Sequence, residues 1–321
     1  MLNIISRSIQ NKKIRGPKKV VNNLILGLEK MNYPYVINKD LNSCERLWIH
    51  DDIDALYDLK NINKDIGVII GPNLFVNPEN IPNSINLSKT VYIQPSINVK
   101  NIWEKRGYNK SSIEVWSVGI DTEKYTPFGD KKDTVLIYFK NRTKEELEQI
   151  ESVLKNKNLT YKIIAYNSYR EEDYYPLLKK IKYIIWLGIY ESQGIALEEA
   201  LSCNIPMIIL DTQVLKNEFD INSSSAPYFD KRCGIIVKDI QKLKSSVDIM
   251  EQTYPTFNPR EFILENLELK KQAEKFIDLY KKYFQLKKDD DSKEKCDNTK
   301  NYKISTITRI WHKICRKIFH D

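Results

Sequence analysis

The feature that most restricts this chain is the regular return of short apolar runs between stretches of helical period. Leu2–Ser6, Tyr35–Asn38, Leu47–His50, Ile66–Ile70, Thr90–Ile93 and Ile113–Val118 read as buried strands. Between them, Val20, Val21, Leu24, Ile25, Leu28 and Met31 fall at helical spacing behind Pro17, a residue suited to a first helical turn. Further helical stretches cover Asp52–Leu59 and Val99–Arg106. Strands that alternate with helices in this way predict a parallel sheet with crossover connections.

The alternation stops at Gly119-Ile120-Asp121-Thr122 and Pro127, then restarts. Strands are expected at Val135–Phe139, Tyr161–Ala165, Tyr183–Leu187, Met207–Leu210 and Gly234–Val237. Helices are expected at Lys144–Lys155, Glu171–Lys180, Ile195–Cys203 and Ile240–Glu251, with a long helical segment at Phe262–Phe284. A chain of 321 residues accommodates two domains of this kind. The boundaries predicted are 1–128 and 129–286, followed by a charged, aperiodic linker over 287–302 and a helical tail over 303–321. Ligands of open parallel sheets sit beyond the carboxyl ends of the strands, so two such domains place theirs in the cleft between them.

Composition excludes several classes. The formal charge is +8, but basic residues are interleaved with acids, as in KNRTKEELEQIE, and no nucleic-acid-binding signature is present, so no nucleic-acid partner is expected. The five cysteines are scattered, with no CxxC pair and no Cys/His ligand spacing. Neither a zinc site nor a disulfide framework is expected, which points to a reducing, cytoplasmic setting. The opening MLNIISRSIQNKK lacks the pattern of a signal peptide, and no apolar run reaches the length of a membrane span.

The densest chemistry lies in Gly188-Ile189-Tyr190-Glu191-Ser192-Gln193-Gly194-Ile195-Ala196-Leu197-Glu198-Glu199-Ala200, which leaves a strand and opens a helix. Gly194 allows a tight turn and close approach of a ligand to the backbone. The unpaired N–H groups of the helix start can hold phosphate oxygens. Glu191 can accept hydrogen bonds from sugar hydroxyls, and Glu199 can take the two vicinal hydroxyls of a ribose. A solvated helix with a polar start is the plainer reading of the same residues.

Glu191 and Glu199, separated by seven residues that include Gly194, resemble the E-x7-E motif of glycosyltransferase family 4 and its relatives of GT-B fold. Ala200 and Ile205-Pro206-Met207-Ile208-Ile209 resemble the continuation of that motif, and Ser96 with Val118-Gly119-Ile120-Asp121-Thr122-Glu123-Lys124-Tyr125-Thr126-Pro127 resembles the family's interdomain stretch. The likeness spans about residues 1–285. It implies an α/β chain of two Rossmann-like domains facing across a cleft, the first for an acceptor and the second for a nucleoside-diphosphate sugar donor.

The resemblance also implies roles. Glu191 belongs to the reaction centre. His50 ends an apolar strand before Asp51 and Asp52, where it can reach a sugar hydroxyl or phosphate at the reaction centre; a structural histidine is the plainer reading of the same position. Glu199, Gly194, Gln193, Ser192 and Gly16 belong to donor binding, with Lys140 or Arg142 as the cation on the pyrophosphate. Here Ser192-Gln193-Gly194 replaces the family's usual Phe-Gly, and Phe139-Lys140-Asn141-Arg142 replaces its Gly-Arg. The implied reaction is a retaining, metal-independent hexosyl transfer to a glycan or lipid-linked acceptor, with no cofactor beyond the donor itself. A non-catalytic carbohydrate- or nucleotide-sugar-binding protein of the same fold is the alternative from another class. A sugar-nucleotide epimerase is a second enzymatic one, though three histidines supply few catalytic groups for it.

In the tail, Ile304, Ile307, Ile310, Trp311, Ile314, Ile318 and Phe319 recur at three- and four-residue spacing, with Lys303, Arg309, Lys313, Arg316 and Lys317 as the basic residues. That pattern suits a helix lying on an anionic membrane face. Truncation at about residue 286 is expected to abolish binding to anionic liposomes in a sedimentation assay and to leave donor hydrolysis intact. A truncated chain that still sediments with the vesicles rules the tail out as the anchor.

Overall fold

A computed structural model of the chain describes residues 1–129, 133–166, 168–213, 216, 223–284 and 302. Their strands form two sheets in which every pairing is parallel. The first has the order β2 (Tyr35–Ile37), β1 (Leu2–Ile5), β3 (Arg46–Ile49), β4 (Gly67–Ile70), β5 (Thr90–Gln94), β6 (Ser112–Val115). The second has the order β11 (Gly234–Val237), β10 (Met207–Leu210), β9 (Ile181–Gly188), β7 (Thr134–Lys140), β8 (Tyr161–Ala165). Helices α1 (Gly16–Lys30), α2 (Ile53–Tyr57) and α3 (Ile97–Lys105) serve the first sheet. Helices α4 (Lys144–Asn156), α5 (Glu171–Leu178), α6 (Ile195–Ser202) and α7 (Leu243–Thr253) serve the second, and α8 (Pro259–Asn266) and α9 (Leu269–Tyr283) follow.

The inner strands are buried on both faces, which is why they read as apolar runs. Alternate residues serve opposite layers. Leu2, Ile4, Trp48 and Ile69 pack with Val21 and Leu24 of α1, whereas Ile5, Leu47, Ile49 and Val68 pack on the other side with Leu56 and Trp103. In the second sheet Leu136, Tyr138, Ile184 and Trp186 meet Leu197 and Leu201 of α6, while Val135, Ile137, Tyr183 and Ile185 meet Ile150 and Val247.

Strand order reverses between β1 and β3 in one sheet and between β7 and β9 in the other. At such a reversal the neighbouring crossovers depart to opposite faces and leave a crevice beyond the carboxyl ends of the strands. His50 follows the end of β3 at the first reversal, and Lys140 stands in register with Gly188 at the second.

The chain passes between the sheets twice. The segment after β6 enters the second unit, and α9 returns to the first, where Ala273, Phe276, Ile277 and Tyr280 join the layer around Trp48. The span 129–286 expected for the second unit therefore contains a helix that packs on the first. The segment read as one helix over Phe262–Phe284 is two, and the second, from Leu269, lies against the first sheet, with Tyr280 donating to the Leu47 carbonyl at 2.7 Å. The two passages touch each other. Ile120 N–H donates to Leu267 O at 2.7 Å, and Ile120 bridges Glu268. Arg260 fastens the same corner, donating to the carbonyls of Thr122 (3.0 Å), Tyr125 (3.0 Å) and Ser202 (2.7 Å).

Tyr302, assigned from sequence to the linker, is docked on the first unit. Its N–H donates to Asn38 O at 2.9 Å and its hydroxyl to Asp58 at 3.1 Å. Residues 287–301 of that linker and the tail over 303–321 lie outside the described residues. No helix among the described residues is long and apolar enough to cross a membrane.

Gly119 is where the two passages approach most closely. A Cβ there would lie 2.6 Å from Leu269 Cα, a backbone atom that cannot step aside alone. Gly119→Ala is expected to cost about 1–3 kcal/mol by overpacking and to lower the melting temperature. An unchanged melt would show that the seam yields freely.

Candidate active site

The site is built at the second strand reversal. Tyr138 and Trp186 are register partners on β7 and β9, and their rings stack at 4.0 Å with only 7° between planes. Lys140 and Gly188 lie two residues further along, on the same face by strand alternation. The stack is thus a floor beneath the strand ends. Beyond Gly188 the chain turns through Tyr190–Gln193, held by the Glu191 N–H donating to Ser224 O at 3.0 Å. Gly194 then starts α6 in the left-handed region, with φ of 97°, which a side chain would strain. Gly194 brings no capping side chain, and no described side chain caps the helix start, so its first N–H groups can serve a ligand acceptor.

Two buried carboxylates bracket this turn. Glu191 receives Lys140 Nζ on both oxygens, at 2.9 and 2.8 Å. Burial raises its pKa even though Lys140 pulls the other way. Glu199 receives Lys19 Nζ at 2.8 Å on both oxygens, and Lys19 belongs to α1 of the other unit. The cleft between the units is therefore closed by an ion pair at this point. A third carboxyl, Glu198, is wholly buried, accepts one hydrogen bond from Gln193, and has its pKa raised well above the ordinary range by burial. Burial at that depth favours the neutral acid.

A cavity of about 450 Å³ opens beside Glu191, lined by Phe139, Lys140, Tyr166, Tyr190 and Ser192. Lys140 Nζ stands 4.5 Å over the Tyr166 ring. Ser192 is exposed at its mouth, and Gly16 is exposed at the start of α1 with open space around it. Glu191, expected at the reaction centre, and Lys140, Ser192 and Gly194, expected at the donor, come together here, and Glu199 lies one helix turn deeper.

Three residues have other employment than the sequence reading gave them. Arg142, considered for the pyrophosphate, is 2 % exposed and spends its guanidinium on Gly188 O (3.1 and 2.9 Å), Leu210 O (2.7 Å), Thr212 (2.6 Å) and Glu146 (3.1 Å). It braces the ends of β9 and β10, leaving Lys140 as the cation at the cavity. Gln193, expected at the donor, instead grips the interdomain segment. Its carboxamide accepts from Val118 N–H at 3.0 Å and donates to Val118 O at 2.9 Å. His50, expected at the reaction centre, is fully buried against Trp48. Its Nε2 lies 3.0 Å from Pro17 O. Asn73 Nδ2 lies 3.3 Å from the same nitrogen, and through Pro17 the imidazole positions the turn that begins α1. Sequence reasoning missed Lys19, Tyr166 and Tyr190. Tyr190 could have been found from its place beside Glu191; nothing local separates Lys19 from Lys18.

Neither a family model nor a curated protein sequence matches the chain. The likeness is three-dimensional. Sucrose-phosphate synthase from Thermosynechococcus elongatus superposes with a TM-score of 0.59 at 11 % identity, over 88 % of this chain and 98 % of that one. HepE from Anabaena, solved in complex with UDP and glucose, gives 0.58 at 10 % identity, over 88 % and 99 %. The lipopolysaccharide outer core galactosyltransferase WaaB gives 0.57 at 12 % identity, over 88 % and 99 %. The fold is GT-B. Within it, the E-x7-E segment stands at the strand reversal of the second sheet, facing α1 of the first.

His50 supplies a test of the buried imidazole. Burial holds its pKa below the ordinary 6.5, against the pull of Asp51. Below pH 6.5 the unfolded chain takes up a proton that the folded chain refuses, so stability falls as pH drops through that window. The slope contributed is at most about 1.4 kcal/mol per pH unit. His50→Gln is expected to flatten the denaturation free energy between about pH 5 and 6.5 relative to the parent. Parallel curves would mean that the imidazole titrates in the fold as it does in the unfolded chain.

Proposed function

We propose that this protein is a glycosyltransferase that moves a hexose from a nucleoside-diphosphate sugar to an acceptor hydroxyl, with retention and without a metal ion. The observation that carries the reading is the pairing of two buried carboxylates, Glu191 and Glu199, around the uncapped, glycine-turned start of α6 at the strand reversal of a GT-B sheet. Glu199 is the ribose contact and Glu191 the contact to the transferred sugar. The N–H groups of α6 and the Lys140 ammonium oppose charge that grows on the leaving diphosphate.

In the reaction the bond from the anomeric carbon to the diphosphate oxygen breaks as the bond to the acceptor oxygen forms on the same face. The acceptor proton passes to the leaving diphosphate, so no protein base is required. This fits a site whose histidine is buried in α1 packing. Glu191 holds a sugar hydroxyl and keeps Lys140 in place. Closure of the cleft aligns the reactants and excludes water. The acceptor belongs on the first unit, and a lipid-linked glycan agrees with the basic apolar tail that the sequence places at the C-terminus.

Hydrolysis of UDP-, GDP- and ADP-sugars without acceptor, with nucleotide binding measured in parallel, tests the assignment. Glu199→Ala is expected to weaken nucleotide binding by about 2–3 kcal/mol. Glu191→Gln is expected to lower turnover more than affinity for the free diphosphate, and activity is expected to persist in EDTA. A parent that binds a nucleotide sugar but never turns it over with or without acceptor is a binding protein. Activity lost to EDTA and restored by Mn²⁺ removes the metal-free mechanism.

A further inference from the structure

The charged groups at the cleft neutralise one another. Lys140 is held by Glu191, Lys19 by Glu199, and Arg142 by Glu146 and backbone carbonyls. A diphosphate entering this set finds its cations engaged, and a partner must be exchanged before its charge is met.

Lys19 is the cation placed for that exchange. It lies in the first turn of α1, where its N–H closes a helical hydrogen bond to Arg15 O at 2.9 Å. The N-terminus of that helix carries positive potential into the cleft. The Lys19–Glu199 pair joins the two units with side chains only 11 % and 3 % exposed, so solvent screens it little. Both Glu199 oxygens accept from the one ammonium, and they are the atoms that two vicinal ribose hydroxyls would need. Hydroxyls that donate to Glu199 compete with Lys19 for the same two oxygens. An ammonium on a flexible four-carbon stem can then swing to a neighbouring phosphate without moving the helix.

We propose that Lys19 is the first unit's own contact to the donor: it rests on Glu199 until ribose hydroxyls take that carboxylate, and then turns to the diphosphate. The proposal rests on the reading of Glu199 as the ribose contact. It makes donor binding an exchange of partners across the cleft, so that filling the second unit's site re-aims a side chain of the first.

The test is calorimetric titration of the full chain with UDP and with uridine, repeated with GDP and guanosine and with ADP and adenosine. The parent is compared with Lys19→Met and with Lys19→Gln, which can still donate to Glu199 but has no charge. Both variants are expected to lose roughly tenfold or more in affinity for the diphosphate, while affinity for the matching nucleoside is unchanged or higher because the competitor for Glu199 is weakened. A purely structural role for the pair would lower both affinities together, and that result overturns the proposal. So does either folded variant that binds the diphosphate as tightly as the parent. A parent that binds none of the three diphosphates defeats the ribose reading of Glu199 itself, a result distinct from a parent that binds and variants that do not differ.

Discussion

The hydrogen bond from Ile120 to the Leu267 carbonyl ties together the two places where the chain changes sheets. Each sheet closes its own layers, but their relative position is set at this corner. There Gly119 admits the Leu269 backbone, Arg260 gathers three carbonyls, and Gln193 takes both backbone groups of Val118. Gln193 sits in the same turn as Glu191 and Gly194. The loop that forms the site is therefore also a fastener of the interdomain seam, and a shift in one is felt by the other.

The site's electrostatics follow from that arrangement. Glu191, Glu198 and Glu199 are buried within one short stretch, which would be costly if all three were charged and unpaired. Each has a separate solution. Lys140 comes from the end of β7, Lys19 comes from the other unit, and Glu198 is left to the Gln193 carboxamide, with its pKa raised by burial. A polar pair, Gln193 with Glu198, thus fills this interior space.

Much of this was legible in the sequence. Parallel strands buried on both faces announce themselves as apolar runs, and Gly194 announced its turn because few other residues adopt it. What could not be read was partnership. A cation shows its charge in the sequence but not its acceptors, so Arg142 looked as suitable for a phosphate as Lys140 until three hydrogen bonds to two backbone carbonyls, Gly188 O and Leu210 O, accounted for it. The apolar stripe of α9 likewise specified that a face is buried without saying beneath which sheet. The break at Leu267 was hidden because both flanking helices share the same period, and the local signal was the Glu268 side chain capping Lys271 N–H at 3.1 Å.

The docking of Tyr302 has a mechanical consequence. Helix α9 lies on the first unit, and Tyr302 is fastened to that unit too, by Asn38 just after β2 and Asp58 just after α2. A pull on the C-terminus therefore enters the fold through the first sheet and reaches the second only by way of the seam. If the chain end is moored, the first unit is the fixed jaw, and the second is the one left to swing.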